Sequence, residues 1–125
     1  MKLRIKGDSI RLRLTRGEVA QLVASGTVAD ATLLPVGPGF GYQLRTDPLA
    51  RAPSATFEAG VLGVAVPKAL AEAWAASEEV AIRAELPVAG GTLLILVEKD
   101  FPCQTVRDGE DDSDAFARDR IKAGR

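Results

Sequence analysis

Apolar and polar residues alternate strictly through Lys2-Leu3-Arg4-Ile5-Lys6 and, after the turn-like Gly7-Asp8-Ser9, again through Ile10-Arg11-Leu12-Arg13-Leu14. Such alternation marks half-buried strands. Leu3, Ile5, Ile10, Leu12 and Leu14 are predicted to point inward, leaving Lys2, Arg4, Lys6, Arg11 and Arg13 on a cationic outer face. Thr15-Arg16-Gly17-Glu18 then has the form of a capping box, so a short helix is predicted to start there. Val19, Leu22 and Val23 fall on one side of that helix, and Gly26 is placed to stop it. Residues 28–34 read as a third strand, the glycine- and proline-rich 35–41 as a loop, and 42–45 as a returning strand.

The second half repeats the plan. After a connector at 47–53, strands are predicted at 54–58 and 62–66, a helix from Pro67, and strands at 79–86 and 92–98. Proline suits a first helical turn, where its missing donor costs nothing. Leu70 and Trp74, four residues apart, are the expected buried pair of this helix. Leu93-Leu94-Ile95-Leu96-Val97 is apolar throughout, which predicts a strand covered on both faces. Displaced by fifty-two positions, residues 2–45 lie over 54–97 without a gap and share nine identities, Val28/Val80 and Leu44/Leu96 among them. The expected fold is therefore mostly β with two short helices. It is read as a compact barrel-like domain over 1–103, built from two fused β-β-α-β-β repeats (about 2–47 and 54–99) with pseudo-two-fold symmetry. Residues 104–125, acidic and then of mixed charge, read as a mobile tail, because such composition buries too little apolar surface to offset its ordering entropy.

Composition narrows the chemistry. The chain has 125 residues, one cysteine and no histidine, which removes an internal disulfide and the usual histidine-based zinc and acid/base sites. No apolar run is long enough for a signal peptide or a membrane span, so a cytoplasmic protein without a membrane partner is expected. The net charge of −1 favours no partner, yet it is unevenly placed: residues 1–52 balance at 8 − 4 = +4, 53–99 at 3 − 6 = −3, and 100–125 at 5 − 7 = −2.

Two resemblances follow from particular segments. MKLRIKGDSIRLRLT, VPKALAEAW, and ILVEKDFPC followed by an acidic stretch ending DAF resemble a family of small bacterial proteins of unknown function. That resemblance implies no activity, and Ala117–Arg125 departs from the family's proline-containing ending. Val64-Ala65-Val66-Pro67-Lys68 before a short helix, with Leu12-Arg13-Leu14-Thr15-Arg16 in the matching place, is also similar to the swapped-hairpin barrels of AbrB-like regulators and related antitoxins. Those proteins interlock two strand-strand-helix-strand-strand units as a dimer, so the likeness implies a fused pseudo-dimer. It also implies DNA binding through arginines near the second strand.

The expected function is a non-catalytic binding or interaction module of unknown partner, a protein or a second copy of the chain being plausible occupants. The alternative is a DNA-binding regulator using Lys2, Arg4, Lys6, Arg11 and Arg13, whose charges would neutralise phosphates and release counterions. A solvated sheet face explains the same five residues without any ligand. The carboxylates Asp108, Glu110, Asp111, Asp112 and Asp114 read as a solvating tail that could cover the basic face. Calcium is not expected, since Ser113 stands where an EF-hand loop needs glycine. Cys103 beside Lys99 invites a nucleophilic reading, but with no histidine to serve as base it reads as a packing residue. Gly37, Gly39 and Gly41 precede no capped helix, so phosphate binding is not expected there. No cofactor, metal or catalytic residue is expected.

Overall fold

A computed structural model describes residues 1–100. The elements run β1 (Lys2–Ile5), β2 (Ser9–Leu14), α1 (Arg16–Ser25), β3 (Thr27–Thr32), β4 (Phe40–Asp47), β5 (Ser54–Glu58), β6 (Val61–Pro67), α2 (Lys68–Ala76), β7 (Ala81–Val88) and β8 (Gly91–Lys99). The fold is mostly β, with two four-stranded sheets ordered β1-β2-β8-β7 and β3-β4-β6-β5. Hairpins β1-β2 and β7-β8 join through parallel pairing of β2 with β8, and β3-β4 joins β5-β6 through parallel pairing of β4 with β6. Each sheet thus takes one hairpin from each half of the chain. Exchanging the halves leaves the strand order unchanged.

The barrel expectation is corrected: the two sheets are not closed by strand pairing. Where the edge of β1 meets the second sheet, single side-chain contacts replace a backbone ladder. The Tyr42 hydroxyl donates to the Met1 carbonyl at 3.0 Å, and the Met1 ammonium lies 3.8 Å from Asp30 and pairs with Glu18. Burial, then the Asp30 and Glu18 carboxylates, push the Tyr42 hydroxyl above its ordinary pKa.

Between the sheets, Leu12, Leu14, Val64, Val66, Leu44, Ile95 and Val97 form a core with Leu22 and Ala71 from the helices. Helix α1 starts as its sequence predicts. Thr15 Oγ1 accepts from the Glu18 amide at 3.2 Å, and Glu18 Oε1 accepts from the Thr15 amide at 2.9 Å. Gly26 ends it at φ 85°, in the left-handed region that glycine enters without steric cost.

Several expectations change at the helix faces. Pro67 is the N-cap of α2 and the last residue of β6, so its fixed φ closes the strand before the first helical residue. Leu70 is 41% exposed, while Ala71 and Trp74 are buried. The helix turns Ala71 inward because Trp74 points one turn along the same face, spaced by three residues, and its Nε1 donates to the Val80 carbonyl at 3.1 Å. Val23 is likewise exposed, with Leu22 facing the core.

The gapless superposition of the halves holds through the helices and fails after them. Leu22 and Trp74, fifty-two positions apart, are both buried. Val28, however, pairs with the core residue Leu44, and it is Ile82 that pairs in the same way with Val97. Val28 is 3% exposed and Val80 50%, so that identity joins a core residue to a surface one. The reason is local. Strand β3 begins directly after Gly26, whereas the second half spends residues 77–80 before β7 begins at Ala81. The fourth strand is shifted too, for Leu44 is buried and Leu96 lies outside the core.

Candidate functional site

The outer face of the β1-β2-β8-β7 sheet gathers the five predicted cations. Their side follows from the pleat: Ile10, Leu12 and Leu14 occupy the core, so Arg11 and Arg13 leave on the opposite face. In β1 the register sets Lys2 opposite Arg13 and Arg4 opposite Arg11. Gly7, at φ 54°, and Asp8 make the two-residue loop of this hairpin, closed by reciprocal Lys6–Ser9 backbone hydrogen bonds of 3.1 Å. The Ser9 hydroxyl donates back to the Lys6 carbonyl at 2.6 Å.

Parallel pairing then brings in residues from the far end of the chain. Arg11 stands beside Leu96 and Arg13 beside Glu98. Both guanidiniums turn to one carboxylate oxygen, with Arg13 Nε 3.1 Å and Arg11 Nε 3.4 Å from Glu98 Oε1. Lys2 Nζ lies 3.2 Å from Asp100 Oδ2. The five cations therefore share a face but differ in state. Lys2, Arg11 and Arg13 have carboxylate partners, and Arg4 and Lys6 stand exposed at the rim of a depression.

That depression, of about 200 Å³, is lined by Arg4, Lys6, Ser9, Ile10, Arg11, Leu94 and Leu96. Leu94 and Leu96 are half-buried on the outer side of β8, whose Ile95 and Val97 fill the core. The expectation of a strand covered on both faces is thus corrected among the described residues: the core covers one face, and arginine stems flank the other. Two leucines beside three cationic side chains suit an anion that carries apolar groups. The one hydroxyl of the lining, on Ser9, donates to backbone, and its other polar side chains are the cations Arg4, Lys6 and Arg11.

Leu94, Leu96 and Glu98 were not legible as site residues, since nothing local announces that β8 pairs with β2. The glycines of the β3-β4 loop have a conformational role. Gly39 sits at φ 86° with a Cβ position only 2.8 Å from the Thr32 carbonyl. Cys103 and the acidic residues Asp108, Glu110, Asp111, Asp112 and Asp114 lie outside the described residues. Among the described residues no group of three or more His, Cys, Asp or Glu could hold a metal ion, and no helix is long and apolar enough to cross a membrane.

No curated protein and no solved structure matches the chain, so the likeness to AbrB-like proteins has no support from them. Residues 1–120 match a family of unknown function (DUF7009), and with nearly the whole chain covered, the protein belongs to that family.

Proposed function

We propose that the protein is a non-catalytic interaction module of the cytoplasm that holds an acidic protein segment on the outer face of its β1-β2-β8-β7 sheet. The observation that carries this reading is the depression in which Arg4, Lys6 and Arg11 surround Leu94 and Leu96. Carboxylates of a bound segment would pair with the cations, and an adjacent apolar side chain would lie on the leucines. Arg4 and Arg11 are directly opposite on neighbouring strands. Glu98 already faces Arg11, and a bound carboxylate would offset the charge of Arg4 across from it. In this reading two fused β-β-α-β-β units form the scaffold, a view supported by a strand order that survives exchange of the halves.

The alternative reading, a DNA-binding regulator of the AbrB-like kind using the same basic strands, has less support. Arg11 and Arg13 already share Glu98, and Lys2 contacts Asp100. A phosphate backbone would have to displace these carboxylates.

The test is fluorescence polarisation with two labelled probes, a short peptide of glutamates flanking one leucine and a random-sequence DNA duplex. The peptide is expected to bind, and Arg4→Glu with Lys6→Glu is expected to weaken it at least about tenfold, through loss of two pairings of about 0.5–1 kcal/mol each and the added repulsion. Peptide binding that ignores this double substitution, or tighter binding of DNA with a steep salt dependence, would overturn the reading.

A further inference from the structure

We propose that the ligand of this face is an extended segment of the form acid-x-apolar-x-acid, lying across the four strands rather than along them, and that Arg83 is its second charged anchor. The proposal rests on the reading of the face as a surface for acidic protein segments and specifies what that surface selects.

The register lines up the outer side chains in rows that cross the sheet. Arg4 stands opposite Arg11, Arg11 beside Leu96, and Leu96 opposite Arg83. Arg83 points outward because its neighbour Ile82 is buried in the core, and its side chain is 59% exposed. The middle row therefore reads Arg4, Arg11, Leu96, Arg83. The rows on either side differ. Lys2, Arg13, Glu98 and Ala81 include a carboxylate of their own, and Lys6, Ser9, Leu94 and Glu85 end in one.

The other sheet supplies a comparison. Exchange of the halves carries the middle row onto Thr56, Gly63, Gln43 and Ala29, aligned in the same way across β5, β6, β4 and β3 and without charge. Pleat and pairing are common to both rows, so the scaffold does not require arginine at these places. Arg83 Nη2 lies 2.8 Å from Glu85 Oε2, and both side chains are exposed. Such a pair contributes little, and a guanidinium has donors to spare for a second carboxylate.

Spacing then selects the ligand. Neighbouring strands lie about 4.8 Å apart, which puts Leu96 about 10 Å and Arg83 about 14 Å from Arg4 along the row. In an extended segment, alternate side chains share a side at intervals of about 7 Å. A carboxylate seated between Arg4 and Arg11 leaves about 7 Å to Leu96 and about 12 Å to Arg83. The next side chain on that side thus lies on the leucine, and the one after it comes within reach of Arg83. Contiguous Glu-Leu-Glu would turn its leucine away from the sheet whenever its glutamates face it.

The test is fluorescence polarisation of the full chain with labelled peptides of equal length and composition, each with two glutamates and one leucine in a serine-glycine background. The arrangements are Glu-x-Leu-x-Glu, contiguous Glu-Leu-Glu, and Glu-x-x-x-Leu-x-x-x-Glu. The first is expected to bind at least about threefold more tightly than either of the others. Arg83→Ala should weaken it about threefold to fivefold, with a smaller effect on the contiguous peptide, and Glu85→Gln should tighten it about twofold. Nitroxides at the two ends of the first peptide should between them broaden the amide signals of both edge strands, at Arg4 and at Arg83. Equal affinity for the three arrangements, an Arg83→Ala effect that is absent or the same for the contiguous peptide, or broadening confined to one edge overturns the proposal and leaves the acidic-segment reading standing. Failure of all three peptides to bind overturns both.

Discussion

Arg13 and Glu98 face each other across the parallel seam between β2 and β8, with Nε 3.1 Å from Oε1, although 85 positions separate them in the chain. Arg11 turns to the same oxygen, so one carboxylate holds two guanidiniums at the place where the two halves of the chain meet. Glu98→Gln leaves both without that charge. It is expected to cost about 1–2 kcal/mol in urea unfolding, in the range for hydrogen bonds to partly buried charged groups. It should also tighten binding of an acidic peptide, since a competing anion is gone. Unchanged stability together with weakened peptide binding would contradict this role.

The two candidate anchors of α2 separate cleanly. Trp74 is 2% exposed and bonded to the Val80 carbonyl, and Lys99 Nζ sits 5.4 Å from its ring centroid. Trp74→Ala is expected to destabilise by about 3–5 kcal/mol. Leu70→Ala, at an exposed position, should cost under about 1 kcal/mol. Comparable losses for the two in denaturant midpoints would refute the assignment of the helix face.

Glu18 supplies a pH dependence. Burial works against its ionisation but is outweighed by the hydrogen bond from the Met1 ammonium, the Thr15 backbone and hydroxyl, and the ammonium charge, so its pKa is lowered. A group depressed in the folded state stabilises above its unfolded pKa, and the contribution is lost as pH falls through the folded value. The stability gap between wild type and Glu18→Gln should therefore be full near neutral pH and shrink progressively below about pH 4.3. Urea midpoints between pH 7 and the acid limit test this; a gap that widens on acidification has the wrong sign.

Two glycines of the β3-β4 loop differ in a measurable way. Gly37 and Gly39 both have positive φ, but a Cβ at Gly37 meets nothing within 4 Å, whereas at Gly39 it meets the Thr32 carbonyl at 2.8 Å. Gly37→Ala should cost only the left-handed strain of about 1–2 kcal/mol. Gly39→Ala should cost more, because backbone must also move. Equal thermal shifts for the two variants would remove the steric part of this account.

Much of the architecture was legible because its signals are local. The alternation of 10–14 and the Thr15–Glu18 box act within a few residues, and the structure reproduces them, whereas in β1 Leu3 is half-buried but Ile5, expected inside, is 56% exposed near the end of its hairpin. What escaped depends on partners distant in sequence. The apolar run 93–97 gives no hint of which face meets the core until β8 is set beside β2. Leu70 and Ala71 differ by one position on a short helix, and only the placement of Trp74 against Val80 decides between them. The shift after the helices escaped for another reason. The identity of Val28 with Val80 is chemical, while the pleat assigns those positions to opposite environments. For the site, the cations could be read from the strand pattern, but their pairing with Glu98 and Asp100 and the leucines beside them could not.

The central claim is that the outer face of the β1-β2-β8-β7 sheet is a binding surface for acidic protein segments. Its most direct test is a titration of the nitrogen-15-labelled full chain with the glutamate-leucine peptide, followed residue by residue in amide shifts. The account predicts saturable changes centred on Arg4, Lys6, Ser9, Arg11, Leu94 and Leu96, with the outer face of the other sheet unmoved. Saturable changes centred on Ala29, Gln43 and Gly63 instead, or no change at any residue up to millimolar peptide, would contradict it.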